Sequence, residues 1–272
     1  MTQPRALREA VAKLPRPLGF VPTMGSLHAG HLALLARARA ASACVAASVF
    51  VNPLQFRAGE DFERYPRDLA GDRSALEGAG VELLFAPDAD AMYPTGFSTA
   101  IDPGSVGEAF EGAIRPDHFR GVATVVVKLL DLVTPDVLYV GQKDAQQTAV
   151  LRRVVRDLNV PVEIEIVETV RESDGLALSS RNAYLSGQER TAAPTLYRSL
   201  RELLAVLERG ASKAEAIAVA RSALAPAASL DYYDLVDADT FEPLERLRPP
   251  AFVLGAARFG STRLIDNLWV RG

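Results

Sequence analysis

The sequence predicts an α/β fold: a doubly wound parallel sheet followed by a smaller α+β unit. Short strand-like runs at 18–21, 44–51, 81–85, 137–140 and 162–167 alternate with helical patterns at 32–43, 69–79, 121–133 and 145–158. Strands that alternate with helices pair in parallel through right-handed crossovers. After position 175 the order changes to two helical patterns, 188–209 and 212–225, and then three strand-like runs at 231–236, 252–257 and 262–266. The first part is therefore expected to be Rossmann-like. A polar hinge at 171–175 divides the chain into domains at 1–172 and 173–272, the second serving as a lid.

The chain opens on an amphipathic stretch carrying Glu9 and Lys13. The run at 18–21 has the apolar character of a strand buried on both faces, and the Ala/Leu/Arg-rich stretch at 32–43 suits a helix packed on that sheet. Between them lies Phe20-Val21-Pro22-Thr23-Met24-Gly25-Ser26-Leu27-His28-Ala29-Gly30-His31, which reads as a nucleotide-binding turn. A helix start presents unpaired backbone N–H groups and the positive end of its dipole to phosphate oxygens. Gly25 and Gly30 lack a Cβ, so a ligand can approach the backbone there. His28 and His31, spaced i, i+3, are expected to share a helix face and aim both imidazoles at one group, donating to a phosphate as it gains charge. The alternatives are capping or core histidines, or metal ligands. The only other histidine is His118 and the only cysteine is Cys44, so a zinc site would need carboxylates.

Further along, Asn52-Pro53-Leu54-Gln55-Phe56 places two amides just past a strand's carboxyl end, where open α/β sheets bind ligands. The 61–68 stretch contains Arg64-Tyr65-Pro66-Arg67, and from 87 to 120 glycines and prolines suggest a loop-rich flap before an apolar helix carrying Lys128. The run at 137–140 ends in Gly141-Gln142-Lys143-Asp144, repeating the strand, turn and helix start of the first motif. Lys143 would hold phosphate charge there, while Asp144 either accepts from ribose hydroxyls or caps the helix. Gln147 lies one turn into that helix. Leu178-Ser179-Ser180-Arg181-Asn182 clusters hydroxyls with a guanidinium, which suits a phosphate-binding loop that closes, or an ordinary N-cap.

Composition bounds the function. The chain has 272 residues, 49% hydrophobic and 24% charged, with a net charge of −4, which argues against a nucleic-acid surface. No apolar run is long enough to span a bilayer and the N-terminus lacks a signal-peptide pattern, so a cytoplasmic protein without membrane contact is expected. A lone cysteine excludes a disulfide framework within the chain.

Taken in chain order, Pro22-Thr23-Met24-Gly25, His28-x-Gly30-His31, Phe50-Val51-Asn52-Pro53-Leu54-Gln55-Phe56, Tyr65-Pro66-Arg67, His118-Phe119-Arg120-Gly121-Val122, Gly141-Gln142-Lys143-Asp144 and Ser179-Ser180-Arg181-Asn182 resemble the pantothenate synthetase family of HxGH nucleotidyltransferases. The resemblance covers nearly all of 1–172 and the hinge, and weakens beyond it apart from Leu264-Ile265-Asp266-Asn267. It implies a ligase that condenses pantoate with β-alanine using ATP and Mg²⁺ through a pantoyl-adenylate, acting as a homodimer. By the same resemblance Met24, Gly25, Ser26, Leu27, His28, Ala29, Gly30, His31, Gly141, Gln142, Lys143, Asp144, Val170, Leu178, Ser179, Ser180 and Arg181 line the ATP site. His31, His28, Lys143 and Arg181 are then catalytic. Gln55 and Gln147 bind pantoate, and Gln55 also serves β-alanine. Leu178 stands where the family often has Met, a swap that conserves volume. Two other readings keep the nucleotide turn: a nucleotidyltransferase of the superfamily with another acceptor, and a non-catalytic nucleotide sensor.

Overall fold

The structure is a computed structural model and describes residues 1–57, 59–60 and 62–272. Asp61, at the head of the 61–68 stretch, lies outside the described residues. The chain divides into two compact units, one of Met1–Gly141 with Val150–Val167, the other of Gln142–Ala149 with Glu168–Gly272. The sequence reading divides it at 172/173.

The first unit contains, in chain order, α1 (Pro4–Val11), β1 (Leu18–Thr23), α2 (Ala29–Ala41), β2 (Cys44–Val49), α3 (Leu69–Gly78), β3 (Leu83–Phe85), α4 (Ala89–Met92), α5 (Glu111–Ile114), α6 (His118–Val133) and β4 (Val137–Gly141). It also holds most of α7 (Ala145–Asp157) and all of β5 (Glu163–Val167). The strands form one parallel sheet in the order β3-β2-β1-β4-β5. Successive residues of one strand point to opposite faces. Phe20, Cys44, Ala46, Leu138 and Val140 accordingly join the core built with α1, α6 and α7, whereas Val21, Val45, Ala47 and Tyr139 join Leu34, Leu35 and Leu76 on the other face. Both faces are covered, which is why these strands read as continuous apolar runs. From β1 the chain winds outward through β2 and β3, then returns to place β4 on the other side. The strand order therefore reverses between β1 and β4, and the carboxyl ends of the strands at such a reversal are the usual ligand position in open α/β sheets.

The structure moves several expected boundaries. The helix expected at 32–43 begins at Ala29, because His28 caps it. The helix expected at 121–133 begins at His118, and His118 and Phe119 are buried. The segment expected as a loop-rich flap at 87–120 is largely loop, interrupted by the short α4, a 3-10 turn at Gly104–Gly107 and α5, and its last residues open α6. Met92 is buried, and the Ile101 N–H donates to Thr124 Oγ1 of α6 at 2.9 Å. Glycine and proline mark the turns here, but apolar burial of residues such as Met92 and long-range hydrogen bonds order the segment.

The second unit contains α8 (Gly187–Ala192), α9 (Thr195–Glu208), α10 (Lys213–Ala223) and the antiparallel strands β6 (Ala228–Asp237), β7 (Ala251–Phe259) and β8 (Thr262–Val270), in the order β6-β7-β8. The single helix expected at 188–209 is two helices with Pro194 at the N-cap of the second. Proline has no N–H to give the preceding turn and its ring crowds the carbonyl four residues back, so the helix must restart. Capping boxes start α8 (Ser186 with Glu189) and α10 (Ser212 with Glu215). Leu196, Leu200, Leu203 and Leu207 of α9 pack with Tyr233, Leu235, Val253 and Ala257 of the sheet. Each such buried Leu contributes on the order of 1.5–3 kcal/mol.

Candidate active site

The turn after β1 is built by side chains that satisfy its backbone. Thr23 Oγ1 donates to Ser48 O at 2.8 Å and accepts the Gly25 N–H at 3.2 Å. Gly25 and Ser26 both take positive φ, 84° and 54°, which turns the chain away from the sheet. Their fold is held by Asp72 in the first turn of α3, whose carboxylate accepts the N–H groups of Ser26 at 3.0 Å and Leu27 at 2.8 Å. A Cβ on Gly25 would lie 2.6 Å from that carboxylate, so this glycine is required by both conformation and space. Sequence reasoning missed Asp72: it lies 46 and 45 positions from the two N–H groups it accepts, with nothing nearby to mark it.

His28 and His31 are brought together by capping rather than by sharing a helix face. His28 is extended (φ −132°, ψ 176°) and stands outside α2 as its N-cap. Its Nδ1 accepts the Gly30 N–H at 3.1 Å, and His31 Nδ1 accepts the His28 N–H at 3.2 Å. Imidazoles thus take the reciprocal roles usually filled by Ser or Thr and Glu or Gln. The ring centroids lie 4.2 Å apart. Because each Nδ1 accepts, each neutral ring carries its proton on Nε2, so the hydrogen-bond partners assign two Nε2–H donors to the start of α2. The capping reading of these residues is thus the observed geometry, and it leaves both Nδ1 atoms as backbone acceptors.

The N–H groups of Gly25, Ser26, Leu27, His28, Gly30 and His31 all donate within the protein. These six N–H groups, expected to face phosphate, are therefore engaged inside the protein. Gly30 is likewise corrected. A Cβ there would lie 2.8 Å from His28 Cε1 and 3.0 Å from its Nδ1, so the space is filled by the ring. Gly30→Ala is expected to displace the His28 imidazole and lower turnover by up to about 10²-fold, the scale of a misplacement of about 1 Å. Helix content by circular dichroism should be unchanged, since alanine favours the helix. Unchanged turnover would sink this account of the glycine.

The two amides after β2 form a connected pair. Asn52 Oδ1 accepts the Leu54 N–H at 3.2 Å and the Tyr93 hydroxyl at 2.7 Å, while its Nδ2 donates to Gly121 O and Gln55 Oε1, each at 3.1 Å. This fixes the Gln55 amide so that its Nε2 points at Met24 Sδ, 2.9 Å away, linking the turn to the amide pair. Burial pushes the Tyr93 hydroxyl well above its ordinary pKa, so it remains a donor. Lys128, singled out in the sequence, lies with Nζ 4.7 Å from the Phe97 ring centre and 5.8 Å from that of Tyr93, a cation–π contact that props the tyrosine. From the other side, His118 Nδ1 donates to Gln55 O at 2.8 Å because its Nε2 accepts from Arg115 at 3.1 Å. Arg115 also binds Gln55 O and pairs with Glu60. Tyr93 and Arg115 had no motif signal; only the tertiary fold brings them here. Cys44 is buried and burial raises its pKa, consistent with a site that uses no thiol nucleophile.

The remaining residues singled out in the sequence belong to the second unit, apart from Gly141 at the end of β4. Gln142–Asp144 forms a 3-10 turn in which Lys143 Nζ lies 3.7 Å from Asp144 Oδ1. Gln147 sits in the first turn of α7, half-buried. Val170 O accepts the Leu178 N–H at 3.0 Å. Ser179 caps a 3-10 turn at Ser180–Tyr184 by accepting the Arg181 N–H at 3.2 Å, and Asn182 Nδ2 donates to Ala177 O. Ser179 thus acts as a cap, which shapes the backbone that carries Ser180 and Arg181.

A family model described as pantoate-beta-alanine ligase matches residues 1–269. The chain belongs to the pantoate–β-alanine ligase family. Among its relatives, pantothenate synthetase of Rhizorhabdus wittichii is 53% identical over 97% of this chain and 95% of its own length, and that of Thermus thermophilus is 53% identical over 96% of each. A crystal structure of the Thermus thermophilus pantothenate synthetase superposes with a TM-score of 0.93 at 52% identity, covering 100% of this chain and 99% of that one. A pantoate–β-alanine ligase from Francisella tularensis, complexed with βγ-ATP and β-alanine, superposes at 0.82 with 32% identity, covering 99% and 96%. The ligase family therefore accounts for both the parallel sheet and the small antiparallel one.

Proposed function

We infer that this chain condenses (R)-pantoate with β-alanine to form pantothenate, using ATP and releasing AMP and pyrophosphate. The observation that carries the reading is the pair of imidazoles locked as Nε2–H donors at the start of α2, in a turn whose Met24 touches the buried Gln55 amide.

A carboxylate is a poor electrophile and must be activated. In the first step a pantoate carboxylate oxygen attacks the α-phosphorus of ATP, the bond to the β-phosphate bridging oxygen breaks, and pyrophosphate leaves with the electron pair. His28 and His31 donate to the phosphate oxygens as charge builds, aided by Lys143 and Arg181. Met24–His31, Gly141–Asp144, Val170 and Leu178–Arg181 bind ATP in this proposal, and Gln55 and Gln147 hold pantoate through amide hydrogen bonds. In the second step the amine of β-alanine, held in part by Gln55, attacks the acyl carbon, AMP departs and the amine loses a proton. Mg²⁺ is proposed to arrive on the triphosphate. When bound it would neutralise charge on the phosphates; among the described residues no group of three His, Cys, Asp or Glu side chains is placed to hold a metal. The acyl-adenylate hydrolyses readily, so a lid role for 173–272 belongs to the same proposal; AMP released without β-alanine measures how well water is kept out. A cytoplasmic homodimer completes it, the dimer carried by the family resemblance and the location by composition, and the two are open to sedimentation velocity and cell fractionation. No helix among the described residues is long and apolar enough to cross a membrane.

Pyrophosphate exchange into ATP is expected when pantoate is present and β-alanine is not, and pantothenate once β-alanine is added. Folded protein that makes pantothenate without exchange overturns the two-step route. Folded protein with neither activity overturns the assignment.

A further inference from the structure

The Asp266-Asn267 motif of β8 is not explained by any role above, yet it is among the most buried polar sequence in the second unit: Asp266 is 5% exposed and Asn267 1%. Asn267 Nδ2 donates to two successive backbone carbonyls, Gln142 O and Lys143 O, each at 2.9 Å, and its Oδ1 accepts from Gln142 Nε2 at 3.1 Å. These carbonyls belong to the peptide planes on either side of the Lys143 Cα. Peptide planes are rigid, so pinning both fixes the backbone dihedrals of Lys143 and the direction in which its side chain leaves the turn.

Asn267 is itself held. Asp266 Oδ1 accepts the Asn267 N–H at 2.7 Å, and Arg171 grips Asp266 with two bonds of 2.6 and 2.9 Å while donating to Asn267 O at 3.2 Å. The Arg171 guanidinium lies 3.9 Å from the centre of the Tyr197 ring. A two-pronged, stacked arginine defines an orientation that lysine cannot reproduce.

We propose that Asn267 is a positioning residue for Lys143, with Arg171 and Asp266 as its anchor, so that a strand of the second unit sets the aim of the ammonium that meets ATP. This rests on the reading of Lys143 as a phosphate-binding group. Asn267→Ala is expected to raise the KM for ATP by about tenfold, inside the range that a misplacement of about 1 Å produces, with the KM for pantoate unchanged. In a Lys143→Met background the same substitution should change ATP affinity by less than about twofold, because residues acting through one another are non-additive. Equilibrium binding of a non-hydrolysable ATP analogue to the full chain reads all four proteins even where turnover is lost. Full multiplicative effects of the two substitutions, or equal rises in both KM values, overturn the positioning role. Unweakened binding in Lys143→Met alone instead overturns the reading of Lys143. Should Asn267→Ala fail to fold, Arg171→Lys keeps the charge against Asp266 and loses the fork; it is expected to raise the ATP KM selectively by a smaller factor, and an unchanged value overturns the proposal.

Discussion

Replacing His31 by alanine is expected to slow pantoate-dependent pyrophosphate exchange by about 10²–10⁴-fold, the usual effect of removing a group that donates to developing charge. The structure complicates the simple substitution, because His31 Nδ1 also accepts the His28 N–H at 3.2 Å. Losing a cap of this kind costs about 0.5–2 kcal/mol, which a domain stable by about 5–15 kcal/mol survives. His31→Gln separates the roles. A glutamine at the third helical position can accept the same backbone N–H, as in an ordinary capping box, but it has no imidazole. The glutamine variant should therefore regain thermal stability over the alanine variant while exchange stays low. Recovery of exchange together with stability would mean that His31 serves only as a cap.

Gly121→Ala is expected to destabilise the protein by about 1–3 kcal/mol, the cost of overpacking a tight contact, and to raise the KM for pantoate about tenfold or more. A Cβ at this position on α6 would lie 2.2 Å from Leu54 O, 2.5 Å from Leu54 C and 2.7 Å from Gln55 N. All three are backbone atoms, so no side-chain rotation relieves the overlap. Either α6 recedes or the Pro53–Gln55 turn shifts, and the latter takes the Gln55 amide with it and breaks the bond from Asn52 to Gly121 O. The sign is informative, because alanine in a helix is otherwise about 1 kcal/mol better than glycine. In a chain of this length each kcal/mol moves the melting temperature by roughly 2–4 °C. An unchanged melting temperature and pantoate KM would show that the helix and turn have room that the structure denies them.

Local pattern was enough for the order of the strands, the parallel sheet and the longer helices, but not for the short α4 and α5. Apolar runs buried on both faces and strand–helix alternation are short-range properties, and His28, His31, Gln55 and Lys143 stand at strand ends where function is expected. The family resemblance read from those motifs is the one the comparisons established. Where one local cue was passed over, at Pro194, the helix was drawn as continuous although it restarts.

What only the tertiary structure decided is how those residues are aimed. The sequence placed the histidines i, i+3 apart; the folded turn put His28 outside the helix and made each ring a backbone acceptor, which settles the tautomer. Asp72 is 46 and 45 residues from the two N–H groups it takes in the turn, Tyr93 is 41 from Asn52, and Asn267 is 124 from Lys143. Hydrogen bonds between such distant positions leave no periodicity behind, because they depend on which elements the sheet brings side by side. Residue type and spacing therefore carried the family and the order of the strands, while the orientation of these side chains came from the folded turn and from contacts between distant elements.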